Sequence, residues 1–220
     1  MKNYKAVLFD LDGTLLDTSA GVIDCIKLTI DKLNLKPLSM EDILKFIGPP
    51  LQNSFKDICH LNDDMVDLAV KTFRSLYVGD NLFNVKIYDG IFQTLEYLQS
   101  KGVKIAVATY KQESFAKNLL EHVEIAKYCN YIYGSDPKGL LTKADIVEKC
   151  ILSFNEDKSN VVLIGDSQFD AIGSKNANVD FIGVTYGFGF KSKKDVDEFS
   201  NVFSADNVYQ LLEEFKKIYD

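Results

Sequence analysis

Short apolar runs alternate with longer amphipathic stretches along most of this 220-residue chain. The runs are "KAVLFD", "VKIAVAT", "NYIYGS", "NVVLIGD" and "DFIGVTYG", and a helical pattern follows each of them. This alternation is typical of a parallel α/β sheet. Because "AVLF", "IAVA" and "VVLI" are almost continuously apolar, we expect helices on both faces. The pattern therefore predicts an α/β fold with a doubly wound parallel sheet.

The alternation is interrupted between the first and second runs. Over residues 18–82, apolar side chains repeat at helical spacing, at Val22, Ile26, Ile30 and Leu33 and again at Val66, Val70, Phe73 and Tyr77. A segment of this length is too long for a loop and is interpreted as an inserted helical domain. The predicted organisation is a core of residues 1–17 and 83–220 with a helical domain at 18–82.

The charge balance limits the classes of partner. The formal net charge is −7, and no basic stretch stands out that could neutralise a row of phosphates. The first residues lack the apolar segment of a signal peptide, and no apolar run approaches the roughly 18 residues of a membrane helix. We therefore expect a cytoplasmic protein that binds neither nucleic acid polymers nor membranes.

Two acidic pairs follow apolar runs. In "VLFDLDGTLLDT", Asp10 and Asp12 come directly after the first run, and in "VVLIGDSQFD", Asp166 and Asp170 follow another. Thr109 ends a third run, "VKIAVAT". The carboxyl ends of parallel strands meet at one edge of the sheet, so these side chains should lie close together. Clustered carboxylates repel one another unless a cation intervenes, and an all-oxygen cluster suits Mg²⁺.

The full set of motifs resembles the haloacid dehalogenase superfamily of phosphatases, in order and spacing, over essentially the whole chain. The motifs are "DLDGT" at 10–14, Thr109, Lys143 in "LLTKADIV", and "GDSQFD" at 165–170. The helical insertion is similar to the family's small helical cap. The segments "FIGPPLQNSF" and "GVTYGFG" are similar to its phosphoglycolate phosphatase and 5'-nucleotidase-like branch.

The resemblance implies a Rossmann-like catalytic core and a Mg²⁺-dependent phosphomonoester hydrolase. Its substrate would be a small phosphorylated metabolite, such as phosphoglycolate or a nucleoside monophosphate. Asp10 would attack phosphorus to form an aspartyl-phosphate and would also bind the metal. Asp12 would donate a proton to the leaving alcohol and later accept one from water, with its backbone carbonyl on the metal. Gly13 and Thr14 would form the turn beside the substrate.

The other motifs receive roles by the same resemblance. Thr109 would hydrogen-bond a phosphoryl oxygen, and Lys143 would offset the negative charge of Asp10 and phosphate. Asp166 would complete the metal shell, and Asp170 would support it from just outside.

Some of these assignments have competing interpretations. Lys138 competes with Lys143, because Ala144 stands where many relatives have a proline after the lysine. Asp170 could serve only as a negative charge in the first turn of a helix. The glycines of "YGFGF" lack the context of a dinucleotide site and are interpreted as a loop.

The choice of substrate should depend on residues outside these motifs. Phe46, Gly48 and Pro49 in "FIGPPL" are candidates for a loop that closes over the site, or form a plain interhelical loop. Tyr110 and Lys111, directly after Thr109, are candidates for contact with the leaving group.

Two other functions share parts of the pattern. A sugar-phosphate mutase has the same core motifs and differs in passing the phosphoryl group to a sugar. A receiver-like switch also uses a strand-end aspartate, a threonine, a lysine and Mg²⁺, but it lacks the helical insertion and the second aspartate of "DLD". No feature of the sequence indicates a protein partner or a particular oligomeric state.

Overall fold

The structure is a computed structural model that describes residues 2–220. The chain forms two compact units. One unit comprises the residues up to Leu16 together with Ile87–Asp220, and the other is Asp17–Lys86. The helical domain predicted at residues 18–82 falls inside the second unit.

Eight strands occur in the described part of the chain. They are β1 (Ala6–Phe9), β2 (Leu16–Asp17), β3 (Lys86–Ile87), β4 (Lys104–Gln112), β5 (Tyr131–Ser135), β6 (Val161–Gly165), β7 (Asp180–Val184) and β8 (Phe203–Ala205). Six of them form one parallel sheet in the order β5-β4-β1-β6-β7-β8, and β2 pairs with β3 in a separate sheet. The predicted parallel α/β sheet is confirmed, with β8 as a sixth strand that the sequence pattern did not predict.

Strand β1 lies at the centre of the sheet, between β4 and β6. Its four residues, Ala6–Phe9, are fully buried, and alternate side chains of a strand point to opposite faces. Both faces of the sheet are therefore covered. Phe9, the last residue of β1, aligns with Val107 of β4 and with Ile164 of β6, so β1 and β6 end at nearly the same level and Thr109 lies two residues beyond Val107 on β4.

Six helices belong to the same unit as the large sheet. They are α6 (Ile91–Ser100), α7 (Glu113–His122), α8 (Lys143–Phe154), α9 (Gln168–Ala177), α10 (Lys193–Val196) and α11 (Val208–Tyr219). Helix α8 packs on one face of the sheet, where Ile146, Val147 and Cys150 join a cluster with Leu8 and Ala106.

The second unit is built from five helices. They are α1 (Ser19–Lys32), α2 (Met40–Leu44), α3 (Leu51–Cys59), α4 (Asp63–Leu76) and α5 (Asp80–Phe83). The apolar positions that predicted helices here are mostly buried, including Ile26 and Ile30 on α1 and Val70 and Phe73 on α4. Among residues 2–220, no helix combines the length and apolar character needed to cross a membrane.

Candidate active site

The sheet register brings three of the predicted motifs to one edge. Asp10 directly follows β1, and its backbone N–H donates to the carbonyl of Ile164 on β6 at 2.8 Å. Asp166 directly follows β6, and Thr109 lies on the adjacent β4. All three side chains are buried. The polar residues therefore gather at the carboxyl ends of neighbouring parallel strands, where ligands of such sheets bind.

Lys143 is the lysine that contacts this edge. Its Nζ lies 2.6 Å from Oδ1 of Asp10 and 2.6 Å from Oδ1 of Asp170. The side chains of all three residues are at most 8% exposed. Lys138, the competing candidate, lies in an exposed loop, where its backbone N–H donates to Asp136. Because breaking a buried ion pair leaves an uncompensated charge, these contacts hold Lys143 in place.

Local structure at the start of α8 fixes the position of Lys143. The side chain of Thr142 accepts the backbone N–H of Asp145, and Asp145 accepts the backbone N–H of Thr142 in return, which forms a capping box. The backbone N–H of Lys143 donates to the hydroxyl of Tyr110 at 2.9 Å. A Cβ atom at Gly173 would lie only 2.5 Å from Cγ of Lys143, so glycine there leaves room for the lysine stem.

The carboxylates around Lys143 form one group. Asp10, Asp166 and Asp170 each place a carboxylate oxygen within 4.8 Å of the others. Burial raises the pKa of Asp10 to about 8; the charge of Lys143 opposes this shift and the neighbouring carboxylates add to it. Burial and the charge of Asp170 raise the pKa of Asp166 to about 7. These shifts reflect negative charges that are both desolvated and crowded.

The charge of Lys143 is stabilised in the same surroundings. Burial alone would lower the pKa of its ammonium group, but the nearby charges of Asp10 and Asp170 outweigh burial and raise it. These contacts favour the charged form of Lys143. When all three carboxyl groups are ionised, they carry more negative charge than one ammonium group can offset, and their donor atoms are all oxygen. This donor set fits a hard divalent cation.

Asp170 has two sets of contacts. Its Oδ2 accepts hydrogen bonds from the backbone N–H and from the hydroxyl of Ser167 at the start of α9, and the first of these two bonds belongs to a capping box. Its Oδ1 pairs with Lys143. Asp170 thus contacts the first turn of α9 and also belongs to the acidic group, and its support of a metal stays a prediction. The spacing Ser167-x-x-Asp170 is the sequence signal for the cap.

Asp12 lies in different surroundings from Asp10. Its Oδ1 is 2.9 Å from Nζ of Lys111, and neither side chain is more than 10% exposed. Gly13 follows with φ of +84°, a conformation that glycine adopts without strain. The sequence made Lys111 a candidate for contact with the substrate's leaving group, and the structure places its ammonium group against the carboxylate of Asp12. Residue type alone gave no signal for this pairing.

Two threonines line the same region. Thr109 is buried, and its hydroxyl oxygen accepts the backbone N–H of Lys111 at 3.1 Å. Thr14 is fully buried, and its hydroxyl has no hydrogen-bond partner within residues 2–220. The carbonyl of Thr14 accepts the hydroxyl of Tyr186 at 3.0 Å. The turn after Asp12 is thereby tied to the segment that follows β7.

That segment, "YGFGF", also contacts Asp166. The backbone N–H groups of Phe188 and Gly189 donate to Oδ2 of Asp166 at 2.6 and 3.0 Å. The sequence interpretation as a loop was sound, but it missed that the loop's backbone reaches the acidic group. Two glycines close to the end of a strand were the available signal, because glycine permits close backbone approach.

The remaining candidates lie in the helical unit. Phe46 is buried and packs edge-to-face against Phe55, with ring centroids 5.0 Å apart. Gly48, with φ of +102°, and Pro49 lie between α2 and α3. A Cβ atom at Gly48 would meet nothing within 4 Å, so the turn itself is what favours glycine. A contribution of these residues to substrate binding stays a prediction.

Comparison with known proteins identifies the family. The model of the haloacid dehalogenase-like hydrolases matches residues 7–184, which is most of the chain. The chain also resembles the crystal structure of a predicted phosphatase from Clostridium acetobutylicum, with a TM-score of 0.91, 33% identity, and coverage of 98% of this chain and 100% of that one. The chain belongs to the haloacid dehalogenase-like hydrolase family, which confirms the resemblance and the prediction of a phosphatase-family enzyme.

Named relatives span several phosphate substrates. A 5'-nucleotidase from Pseudomonas aeruginosa is 31% identical over 84% of this chain and 85% of its own length. A pyrophosphatase PpaX from Halalkalibacterium halodurans is 27% identical over 94% of each chain. A phosphoglycolate phosphatase from Aquifex aeolicus is 28% identical over 84% of this chain and 86% of its own. The relatives therefore share chemistry on phosphate more than any one substrate.

Proposed function

We propose that this chain is a Mg²⁺-dependent phosphomonoester hydrolase in which Asp10 is the nucleophile. The observation that carries the proposal is the position of Asp10. Its carboxylate is buried at the end of the central strand, 2.6 Å from Lys143 and within 4.8 Å of Asp166 and Asp170. A carboxylate held between a cation and an oxygen-rich group is suited to attack an anionic phosphoryl centre.

The metal would be held by the side chains of Asp10 and Asp166 and by the backbone carbonyl of Asp12. Asp170 would support the group through its contact with Lys143. When bound, Mg²⁺ would neutralise charge on the phosphoryl oxygens and on the ligating carboxylates.

In the first half-reaction, a carboxylate oxygen of Asp10 bonds to phosphorus while the bond between phosphorus and the ester oxygen breaks. The leaving oxygen takes a proton from Asp12. Lys143 offsets the negative charge on Asp10 and the phosphoryl group, and Thr109 hydrogen-bonds a phosphoryl oxygen. The product of this half-reaction is a phosphoryl group carried on Asp10, with a free alcohol.

In the second half-reaction, a water oxygen bonds to phosphorus and the bond to Asp10 breaks. Asp12 now accepts a proton from the attacking water, so it returns to its starting state. Inorganic phosphate leaves and Asp10 is again a free carboxylate. The contact of Asp12 Oδ1 with Nζ of Lys111, at 2.9 Å, holds this side chain in a defined position, and the ammonium group stabilises the carboxylate form that accepts the proton from water.

The proposed substrate is a small organic phosphate, either a nucleoside monophosphate or phosphoglycolate. Relatives named 5'-nucleotidase and phosphoglycolate phosphatase support these two candidates. Inorganic pyrophosphate is a second candidate, because relatives named pyrophosphatase PpaX match 94% or more of this chain. A sugar-phosphate mutase is the alternative outcome for the same phosphorylated Asp10.

The test is release of inorganic phosphate from nucleoside monophosphates, phosphoglycolate, pyrophosphate and sugar phosphates, with Mg²⁺ or with EDTA. The variants are Asp10→Asn and, as a matched control, Asp195→Asn. Asp195 is a partly buried carboxylate in the capping box of α10. We expect Mg²⁺-dependent turnover in the wild type and in Asp195→Asn, and none in Asp10→Asn. Transfer of the phosphoryl group to a sugar without phosphate release would favour the mutase.

A further inference from the structure

The loop Tyr186–Phe190, here called the Asp166 loop, directs consecutive backbone donors at one aspartate. The N–H groups of Phe188 and Gly189 donate to Oδ2 of Asp166 at 2.6 and 3.0 Å. The N–H of Phe190 donates to the backbone carbonyl of Asp166 at 2.7 Å. One carboxylate oxygen is thus held by two donors, while the side chain is only 2% exposed.

Positions 187 and 189 have no room for a side chain larger than that of glycine. A Cβ atom at Gly187 would lie 2.3 Å from Oδ2 of Asp166 and 2.3 Å from the carbonyl oxygen of Gly13. A Cβ atom at Gly189 would lie 2.6 Å from the carbonyl oxygen of Asp166. Neither loop glycine has a positive φ, so backbone conformation does not explain them. The absent side chains let the loop backbone reach the carboxylate.

The loop is fixed at both of its ends. At its start, the hydroxyl of Tyr186 donates to the carbonyl of Thr14 at 3.0 Å, two residues after Asp12. At its end, the ring of Phe190 is buried in a cluster that includes Phe181 and Val196. The two N–H donors are therefore held by a rigid segment, and they restrain the rotation of the Asp166 carboxylate.

We propose that the Asp166 loop positions this carboxylate for the divalent cation: it engages Oδ2 and leaves Oδ1 as the oxygen that Asp166 presents to the metal. The inference rests on the proposed function, because it assigns Asp166 as a metal ligand. Gly187, Phe188 and Gly189 act through Asp166 and are positioning residues. Hydrogen-bond partners of metal ligands contribute to metal affinity by fixing the ligand's orientation.

The test is the affinity of the full chain for Mg²⁺, measured by titration calorimetry in the absence of substrate. The variants are Gly187→Ala and the matched control Gly21→Ala. A Cβ atom at Gly21 would lie 2.0 Å from the carbonyl oxygen of Asn81, so this control inserts a similar clash in the helical unit, away from the Asp166 loop and from the cluster that holds Phe190. We expect Gly187→Ala to bind Mg²⁺ about 10- to 100-fold more weakly. Gly21→Ala should lose thermal stability but retain its Mg²⁺ affinity.

Enzyme assays add a second readout. Raising the Mg²⁺ concentration should restore most of the kcat of Gly187→Ala, since the loss lies in metal binding. Unchanged Mg²⁺ affinity in an active Gly187→Ala would overturn the role of the loop and leave the hydrolase proposal standing. A wild type that neither binds Mg²⁺ nor releases phosphate would overturn both.

If Gly187→Ala does not fold, a Mg²⁺ titration of the wild type followed by NMR tests the proposal. The amide proton resonances of Phe188 and Gly189 should shift during a Mg²⁺ titration, with the midpoint found by calorimetry. The amide of Gly139, in an exposed loop, serves as the reference and should stay unchanged. Resonances of Phe188 and Gly189 that do not move while Mg²⁺ binds would contradict the proposal.

Discussion

Asp10 and Asp12 lie one residue apart but in two different electrostatic regions. Asp10 shares Lys143 with Asp170, and Asp166 lies in the same group, so carboxylates outnumber the cation there. The carboxylate of Asp12 pairs instead with Lys111. When two carboxylates have distinct environments, they can take distinct roles in one reaction. The comparison teaches that the spacing of "DLD" places its two carboxylates in different surroundings, and under the proposed mechanism it would separate the nucleophile from the proton donor and acceptor.

Asp12→Asn should produce the largest effect among the tests of this comparison. The variant cannot transfer protons, which costs about a hundredfold to ten-thousandfold in turnover. The first half-reaction with 4-nitrophenyl phosphate should be spared, because nitrophenolate leaves without a proton. Rapid mixing should then show a burst of one nitrophenolate per enzyme, followed by slow turnover. Equally slow first turnovers with alkyl and nitrophenyl phosphates would contradict the role of Asp12.

Lys143→Met should produce the second-largest loss of activity. It keeps the volume of the stem but removes the charge that faces Asp10 and Asp170, so we expect a loss of kcat of about a hundredfold to a thousandfold. The control is Lys149→Met, on the same helix but with a side chain that is 44% exposed. Circular dichroism should establish that both variants are folded. A kcat for Lys143→Met equal to that of the control would remove Lys143 from the mechanism.

Lys111→Met should have a smaller effect, about tenfold, since Asp12 keeps its proton-transfer group and loses only the partner that orients it. The loss should be larger with an alkyl phosphate than with 4-nitrophenyl phosphate, as for Asp12→Asn. Lys117→Met, at an exposed position on α7, is the matched control. An equal loss with both substrates would assign Lys111 to substrate binding instead.

Metal removal should have a pH-dependent effect on thermal stability, the smallest of these effects. The raised pKa values of Asp10, about 8, and Asp166, about 7, mean that the folded state resists their ionisation. The contribution of these two groups to the free energy of unfolding is therefore fully present below about pH 4, near the pKa of a free aspartate. This contribution is lost as the pH rises through 7 and 8. The Tm measured in EDTA should decrease over this window.

Two additions sharpen the pH experiment. Mg²⁺ should raise the Tm more at pH 8 than at pH 6, because it binds the ionised carboxylates. Asp10→Asn in EDTA should show a shallower decrease of Tm than the wild type, since one of the two titrating groups is gone. Identical pH profiles for the wild type and Asp10→Asn would contradict the crowded-carboxylate description of the Lys143 region.

The sequence predicted those parts of the molecule that depend on residue type and short spacing. Continuous apolar runs predicted five strands of the sheet, and acidic residues after two of them predicted a group of four carboxylates. Asp10, Asp166 and Asp170 form this group, whereas the carboxylate of Asp12 pairs with Lys111. Strand β8 was missed because it has only three residues, Phe203–Ala205, and no run of apolar side chains. Short edge strands depend on pairing with a neighbour more than on their own composition.

Contacts that depend on the backbone or on distant pairing could not be predicted. The donors to Asp166 are N–H groups at Phe188 and Gly189, and every residue except proline carries such a group. The pair of Lys111 with Asp12 joins the ends of neighbouring strands, and a lysine at that position has no pattern that reveals its partner. Only the assembled sheet brings these groups together.

The central claim is that Asp10 carries the phosphoryl group. The direct measurement is acid quench of the wild type during turnover of 4-nitrophenyl phosphate with Mg²⁺, followed by digestion with pepsin at acid pH, where an acyl phosphate survives, and mass spectrometry. The peptide of interest is the one that contains Asp10. The account predicts one added phosphoryl group on this peptide, placed on Asp10 by fragmentation. Turnover with an unmodified peptide, or with the phosphoryl group on another residue, would contradict it.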